Sequence, residues 1–127
     1  MSKIKISGFI TSKNGDNIHI NTDAIKRENS IIYVHDAIKT TVLFAENKIT
    51  IKRENNDLYN IFEFVQGEET NSKYYINSIN KYFNIKIYTK IIHISNNSLN
   101  IKYDLYVENE KQDELTFNLN WRWKKWI

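Results

Sequence analysis

Residues 40–54, TTVLFAENKITIKRE, contain two runs of alternating apolar and polar residues on either side of Glu46-Asn47. Side chains along a β-strand point alternately to its two faces, so such runs are typical of strands with one buried face. A two-residue turn at Glu46-Asn47 would set the pairing of the hairpin. From the turn outward the pairs are Ala45 with Lys48, Phe44 with Ile49, Val42 with Ile51 and Thr40 with Arg53. The apolar pairs share one face, which we expect to be the interior, and Arg53 lies on that same face.

The same alternation recurs along nearly the whole chain. The predicted strands cover residues 3–10, 17–26, 31–36, 40–45, 48–53, 58–65, 73–77, 83–94, 99–107 and 115–123. Asparagine-rich breaks separate many of them, and asparagine tolerates the left-handed backbone that tight turns require. No stretch shows a sustained helical period. Many short strands with frequent turns predict an all-β fold, namely a single antiparallel β-barrel of about eight to ten strands, closed or nearly closed, that occupies residues 1–127 as one domain.

The strands around residues 83–94 and 99–107 form a second predicted hairpin. A three-residue loop with a bulge at Asn96-Asn97-Ser98 would align two sets of inward side chains. The first set is Phe83, Ile85, Ile87, Thr89 and Ile91, and the second set is Leu99, Ile101, Tyr103, Leu105 and Val107.

The chain closes with LTFNLNWRWKKWI, residues 115–127, in which three tryptophans lie among basic residues. Strand alternation continues through Trp121 and Trp123, so both are interpreted as core or barrel wall. Residues 125–127 extend beyond this pattern, and we expect Trp126 to cover an open end of the barrel. The alternative is a basic aromatic tail that binds nucleic acid.

Composition narrows the classes of function. The chain of 127 residues carries 18 Lys and Arg against 15 Asp and Glu, and its net charge of +3 is too small to indicate a specific polyanion partner. It has no cysteine, which excludes disulfides and thiolate metal sites. The first residues alternate and no apolar run approaches the ~20 residues of a membrane span. These features predict a cytoplasmic protein without a membrane partner.

From Thr40 onward the chain resembles a known family. The segments TTVLFAENKITIKRE, IFEFVQG, YYIN, FNIKIYTKI and LNIKYDLYV occur in the order found in the YwiB-like family of uncharacterised small bacterial proteins. The resemblance implies a lipocalin-like (calycin) closed β-barrel. It implies no agreed activity, cofactor or catalytic residue. The chain departs from the family pattern at residues 77–80, which read NSIN where a Thr-Pro-Tyr-Gly turn is usual, and no glycine follows Arg53.

Neither a catalytic site nor a cofactor is indicated by the motifs. His19, His35 and His93 lie in separate predicted strands without the spacing of metal ligands, so no metal is predicted. Glu63 falls on an outward face between two phenylalanines. No nucleophile elbow or glycine-rich phosphate loop occurs, and we therefore expect no enzyme.

A set of polar residues on the inward faces is the sharpest candidate site. Its members are Arg53, Thr40, Asn60, Thr89 and Tyr103. A buried guanidinium is costly unless paired, so either an internal network satisfies it or it meets the anionic part of a ligand. Barrels of this size either fill with side chains or hold one small ligand, and the many large inward aromatic residues favour a filled or narrow interior.

These observations lead to two functional hypotheses. The first is a non-enzymatic binding module that holds a small amphipathic or anionic ligand in the barrel. The alternative is a module that binds nucleic acid or another protein through its outer surface. Under both hypotheses the protein would be a monomer or a homodimer. The outward residues of the alternative are Lys48, Lys52, Lys86, Tyr88, Lys90, Lys102, Tyr106, Arg122, Lys124, Lys125 and Trp126.

Overall fold

Ten antiparallel strands follow one another along residues 2–124, the part of the chain that the computed structural model describes. The strands are β1 (Ser2–Ser12), β2 (Asn17–Arg27), β3 (Ser30–His35), β4 (Ile38–Ala45), β5 (Lys48–Glu54), β6 (Leu58–Phe64), β7 (Glu69–Ile76), β8 (Lys81–Ser95), β9 (Ser98–Val107) and β10 (Glu110–Trp123). A single turn of 3-10 helix, Asn77–Ile79, joins β7 to β8. Within residues 2–124, no helix is long and apolar enough to cross a membrane.

Each strand pairs with its neighbours in sequence, and β1 pairs with β10 to close the sheet. The closing seam runs from Ile4 opposite Trp123 to Ser12 opposite Leu115. The all-β fold class and the closed barrel of about eight to ten strands are thus confirmed. Closure matters physically because a closed sheet has no edge strand with unpaired backbone groups.

The up-and-down order places alternate turns at opposite ends of the barrel. We call the end with the turns that follow β1, β3, β5, β7 and β9 the upper rim, and the opposite end the lower rim. Ser2 and Lys124 lie at the lower rim, because β1 rises from it and β10 descends to it. The last residues of β5 and the first residues of β6 therefore meet at the upper rim.

The hairpin of β4 and β5 has the predicted register. Thr40 pairs with Arg53, Val42 with Ile51 and Phe44 with Ile49. The inward faces of all strands together form one core, whose buried apolar members are Ile4, Ile6, Ile20, Ala24, Ile31, Tyr33, Val42, Ile49, Ile51, Phe64, Ile85, Ile87, Leu99, Ile101, Tyr103, Phe117, Leu119 and Trp121.

The hairpin of β8 and β9 differs from the prediction in its turn and its bulge. Ser95 pairs with Ser98, so the turn has two residues, and the bulge lies at Lys90 within β8. A bulge adds one residue to one strand and reverses the faces beyond it. Thr89, which precedes the bulge, faces inward as predicted and is 0% exposed. Ile91, which follows the bulge, was predicted to face inward but is 48% exposed.

Trp121 is buried in the core, whereas Trp123 is 53% exposed and belongs to the barrel wall, the second of the two predicted positions. Pairing between β10 and β9 ends at Asn120 and Ser98, and among the described strands Trp123 pairs with β1 alone. The residues of a strand that extend beyond a neighbouring strand have no side chains to pack against on that side. The predicted overhang of residues 125–127 and the covering role of Trp126 lie outside the described residues.

The turn between β3 and β4 was not predicted, since alternation assigned Asp36 to a strand. Asp36 and Ala37 have φ values of 51° and 59°, and His35 pairs with Ile38 across them. Two successive left-handed residues form the hairpin turn that matches the twist of the sheet. This turn lies at the upper rim, and it places Tyr33 opposite Thr40.

Candidate functional site

Inward polar residues form one cross-strand row on five neighbouring strands. Tyr33, Thr40, Arg53, Asn60 and Tyr74 are successive pairing partners on β3 to β7. Directly opposed residues in a sheet have Cβ atoms about 5 Å apart, so these side chains are neighbours. We call these five residues the polar row. It lies close to the upper rim.

The five residues predicted as the interior site all point inward. Thr40, Asn60, Thr89 and Tyr103 are 4%, 0%, 0% and 7% exposed. Arg53 is half-buried. Thr40, Arg53 and Tyr103 line one cavity, whereas Asn60 and Thr89 are buried in the wall outside its lining. Ligand contact by any of them stays a prediction.

This cavity, which we call the rim cavity, has a volume of about 120 Å³ and extends into the barrel from the upper rim. Its lining residues are Ile10, Ile18, Ile20, Tyr33, His35, Asp36, Ile38, Thr40, Ile51, Arg53, Phe62, Phe64, Tyr103 and Phe117. Apolar walls therefore surround a few polar groups, which is the usual composition of a small-molecule site.

The Arg53 guanidinium is the cation of the rim cavity, and Asp36 at the cavity mouth is its carboxylate, but the two form no ion pair. Within residues 2–124 no ion pair or side-chain hydrogen bond engages the guanidinium. The sequence allowed two possibilities for Arg53, an internal network or a ligand. The described residues form no such network around its guanidinium. A half-buried cation without a counter-ion is an unfavourable arrangement that an anion would relieve.

Two tyrosine hydroxyls accompany Arg53 in the cavity wall. Burial raises the pKa of Tyr103, and the positive charge of Arg53 opposes that rise only in part. Burial also raises the pKa of Tyr33, against the influence of the Thr40 hydroxyl and of Arg53. Both tyrosines therefore remain neutral near pH 7, and their hydroxyls can donate hydrogen bonds to an anion.

Aromatic rings pack against one another in the wall of the cavity and in the barrel interior below it. The ring of Phe64 lies 4.9 Å from that of Tyr103 and 6.4 Å from that of Phe62, both edge to face. Toward the lower rim, Phe44 and Trp121 are 6.0 Å apart. The predicted narrow interior is consistent with this packing, because Phe62, Phe64 and Tyr103 pack against one another and also form part of the cavity wall.

Asn60 is fully buried, and neither its Nδ2 nor its Oδ1 has a hydrogen-bond partner among the described residues. The hydroxyl of Thr89 is unpaired as well. Each such group costs about 1–3 kcal/mol relative to a satisfied one. Asn60 pairs in register with Arg53, so this unpaired amide lies next to the rim cavity.

Sequence reasoning missed the mouth of the cavity. His35 is the last residue of β3 and Asp36 is the first residue of the unpredicted β3–β4 turn, and His35 Nδ1 lies 3.6 Å from Asp36 Oδ2. Tyr33 was also missed, although a turn placed at Asp36-Ala37 would have paired it with Thr40. Two successive left-handed residues without glycine or asparagine carry a weak sequence signal.

The three histidines lie on β2, β3 and β8. Across residues 2–124, no three metal-binding side chains converge.

Several of the outer lysines assigned to the alternative hypothesis lie next to carboxylates. Lys48 lies 3.8 Å from Glu63, and Lys90 lies 2.8 Å from Glu114 and 3.0 Å from Asp104. Hydrogen bonds from Lys90 and Lys13 lower the pKa of Glu114 to about 2, so this carboxylate is charged at neutral pH. The terminal Lys125 and Trp126 lie outside the described residues. No observation favours that set of residues as a binding surface.

Comparisons with known proteins agree with this architecture. The crystal structure of the ywiB protein from Bacillus subtilis is similar to this chain with a TM-score of 0.68 at 17% identity, over 97% of this chain and 91% of that one. At that identity the likeness shows a shared fold alone. No curated protein matches the chain. The family model described as a domain of unknown function (DUF1934) matches residues 4–119. The resemblance to YwiB-like proteins is confirmed, and the chain belongs to the DUF1934 family.

Proposed function

We propose that this protein is a non-enzymatic binding module that holds a small anionic molecule with a short apolar body in the rim cavity. The observation that carries the proposal is the half-buried guanidinium of Arg53, which lines the cavity without a carboxylate partner among residues 2–124. The lipocalin-like architecture implied by the family resemblance supports it, since small barrels of that kind can hold one ligand.

The chemistry of the residues that line the rim cavity indicates the class of ligand. An anionic group next to Arg53 would receive a charge-assisted hydrogen bond, which is about twice as strong as a neutral one. The neutral hydroxyls of Tyr33, Thr40 and Tyr103 would supply further donors. Isoleucine and phenylalanine walls would contact an apolar remainder.

The volume of the rim cavity limits the size of the ligand. Drug-sized ligands occupy sites of roughly 300–1,000 Å³, whereas the rim cavity has about 120 Å³. A short aliphatic carboxylate is the class that combines one anionic group, a small volume and an apolar chain.

Native mass spectrometry of gently purified protein tests the proposal, together with thermal unfolding in the presence of short aliphatic carboxylates. We expect a bound small molecule, and we expect added carboxylate to raise the melting temperature because a ligand that binds only the folded state stabilises it. Arg53→Met should abolish both effects without unfolding the barrel. The matched control is Arg27→Met, which removes an exposed arginine at the end of β2 and should bind normally.

Two outcomes would count against the proposal. If the native mass equals that of the bare chain and no carboxylate shifts the melting temperature, the cavity has no such ligand. If Arg53→Met strongly destabilises the protein without ligand, Arg53 has a structural role instead. Our proposal expects that substitution to leave the unliganded protein at least as stable, since it removes an unpaired, half-buried cation.

A further inference from the structure

Three tyrosines form a row on the outer wall of the barrel, on the opposite face of the sheet from the polar row. Tyr59 on β6, Tyr75 on β7 and Tyr82 on β8 are successive pairing partners. Tyr59 is 43% exposed and Tyr82 is 60% exposed. We call these three residues the tyrosine row. It is independent of the rim cavity, because strand alternation separates the two faces.

The rings of the tyrosine row are held in place by their neighbours. The rings of Tyr75 and Tyr82 lie 4.6 Å apart with an interplanar angle of 37°. The Tyr75 hydroxyl donates a hydrogen bond of 2.9 Å to Asn80 Oδ1 in the β7–β8 turn. A preset arrangement of rings lowers the entropy that binding would otherwise cost.

Lysines flank the tyrosine row. Lys52 Nζ lies 5.5 Å from the ring centre of Tyr59, and Lys73 Nζ lies 5.6 Å from that of Tyr82. Lys52 also lies 3.4 Å from Glu54. Lys73 has no carboxylate within ion-pair distance among residues 2–124. Its charge remains available to an anionic partner.

We propose that the tyrosine row binds single-stranded nucleic acid, with bases stacked on Tyr59 and Tyr82 and a phosphate beside Lys73. Exposed aromatic rings interleaved with cations are the features that bind single strands without sequence preference. Neighbouring strands are about 4.8 Å apart, so Tyr59 and Tyr82, two strands apart, are about 10 Å apart along the row. That spacing suits separated bases and not the closely stacked bases of a duplex.

Fluorescence anisotropy of labelled oligo(dT) and oligo(U) at low salt tests this proposal and distinguishes DNA from RNA. Tyr59→Ser and Tyr82→Ser should each weaken binding roughly 5- to 150-fold, the range for loss of one stacked base. Lys73→Gln should reduce the slope of log affinity against log salt by about 0.7 if it contacts one phosphate. Arg53→Met should leave binding unchanged, which separates this site from the rim cavity.

Tyr88→Ser is the matched control. Tyr88 also points outward from β8 and is 36% exposed, but carboxylates pair with it on both sides, Glu69 and Asp104, whereas Tyr59 has Glu54 on one side and Tyr75 on the other. We expect this substitution to leave affinity unchanged, and thermal unfolding should show all variants folded. The proposal is overturned if neither oligonucleotide binds at low salt, if Tyr88→Ser weakens binding as much as Tyr82→Ser, or if a duplex binds as tightly. It is also overturned if the tyrosine row binds a neutral oligosaccharide in place of the oligonucleotides.

Discussion

Ala37 shows how a single residue can carry backbone strain at the upper rim. Its φ of 59° lies in the left-handed region, where an L-residue with a Cβ atom is disfavoured by roughly 1–2 kcal/mol. Glycine adopts this conformation without that penalty, although it also gains freedom in the unfolded chain. The β3–β4 turn is therefore stable because its flanking strands hold it, and not because of its own residues.

Ala37→Gly should raise the free energy of unfolding by about 0.5–1 kcal/mol, which is the relief of strain minus the entropy that glycine adds to the unfolded chain. Urea unfolding followed by circular dichroism would measure it. Ala45→Gly is the control, since Ala45 is an exposed strand residue where glycine should destabilise. A loss of stability in Ala37→Gly would contradict the proposed strain.

At the scale of elements, the closure of the barrel depends on a close approach between β1 and β10. A Cβ atom at Gly8 would lie 2.1 Å from the carbonyl oxygen of Asn118 and 3.1 Å from Cα of Leu119. Both neighbours are backbone atoms of the paired strand, so they cannot move without displacing β10. Gly8 is thus the position where the closing seam has no room for a side chain.

Gly8→Ala should lower the free energy of unfolding by at least about 1–3 kcal/mol, the usual cost of overpacking, because the substitution forces the two strands of the seam apart. Thermal and urea unfolding would measure the loss. Ser7→Ala provides the comparison, since Ser7 is exposed on the same strand and should change stability little. Equal stability of the Gly8→Ala protein would show that the seam can widen freely.

For the whole molecule, the barrel interior contains two phenols that ionise with difficulty. Burial raises the pKa of Tyr103 and of Tyr33 above the ordinary value of 10.0. In the unfolded chain both would lose their protons near that ordinary value. The contribution of these two phenols to the stability of the folded barrel is therefore fully present below about pH 10. It is lost as the pH rises from pH 10 toward their raised pKa values.

Stability should consequently fall above about pH 10, by up to about 1.4 kcal/mol per pH unit for each phenol that only the unfolded chain ionises. Thermal unfolding across alkaline pH would follow the decline. Tyr103→Phe should make the decline shallower, whereas Tyr82→Phe, at an exposed position, should not. An identical alkaline decline in the Tyr103→Phe protein would show that this phenol does not control it.

Alternation alone predicted the fold class, the approximate positions of the ten strands and the register of the β4–β5 hairpin. Period-two patterning determines which side chains face inward, and a closed sheet is the way to bury one face of so many strands. The placement of Thr40, Asn60, Thr89 and Tyr103 in the interior follows from the same local rule.

Three features could not be read from the pattern. The bulge at Lys90 reversed Ile91 without any local sequence signal. The turn at Asp36-Ala37 has neither glycine nor asparagine, so local propensity gave only the weak signal of Asp36. Trp123 is exposed because β10 extends beyond β9, whose first residue, Ser98, pairs with Asn120. How far one strand extends beyond the other depends on the lengths of both strands. Alternation therefore establishes that Arg53 faces inward, because strand direction is local. Whether a carboxylate lies near its guanidinium depends on barrel closure, which brings residues far apart in sequence to one rim.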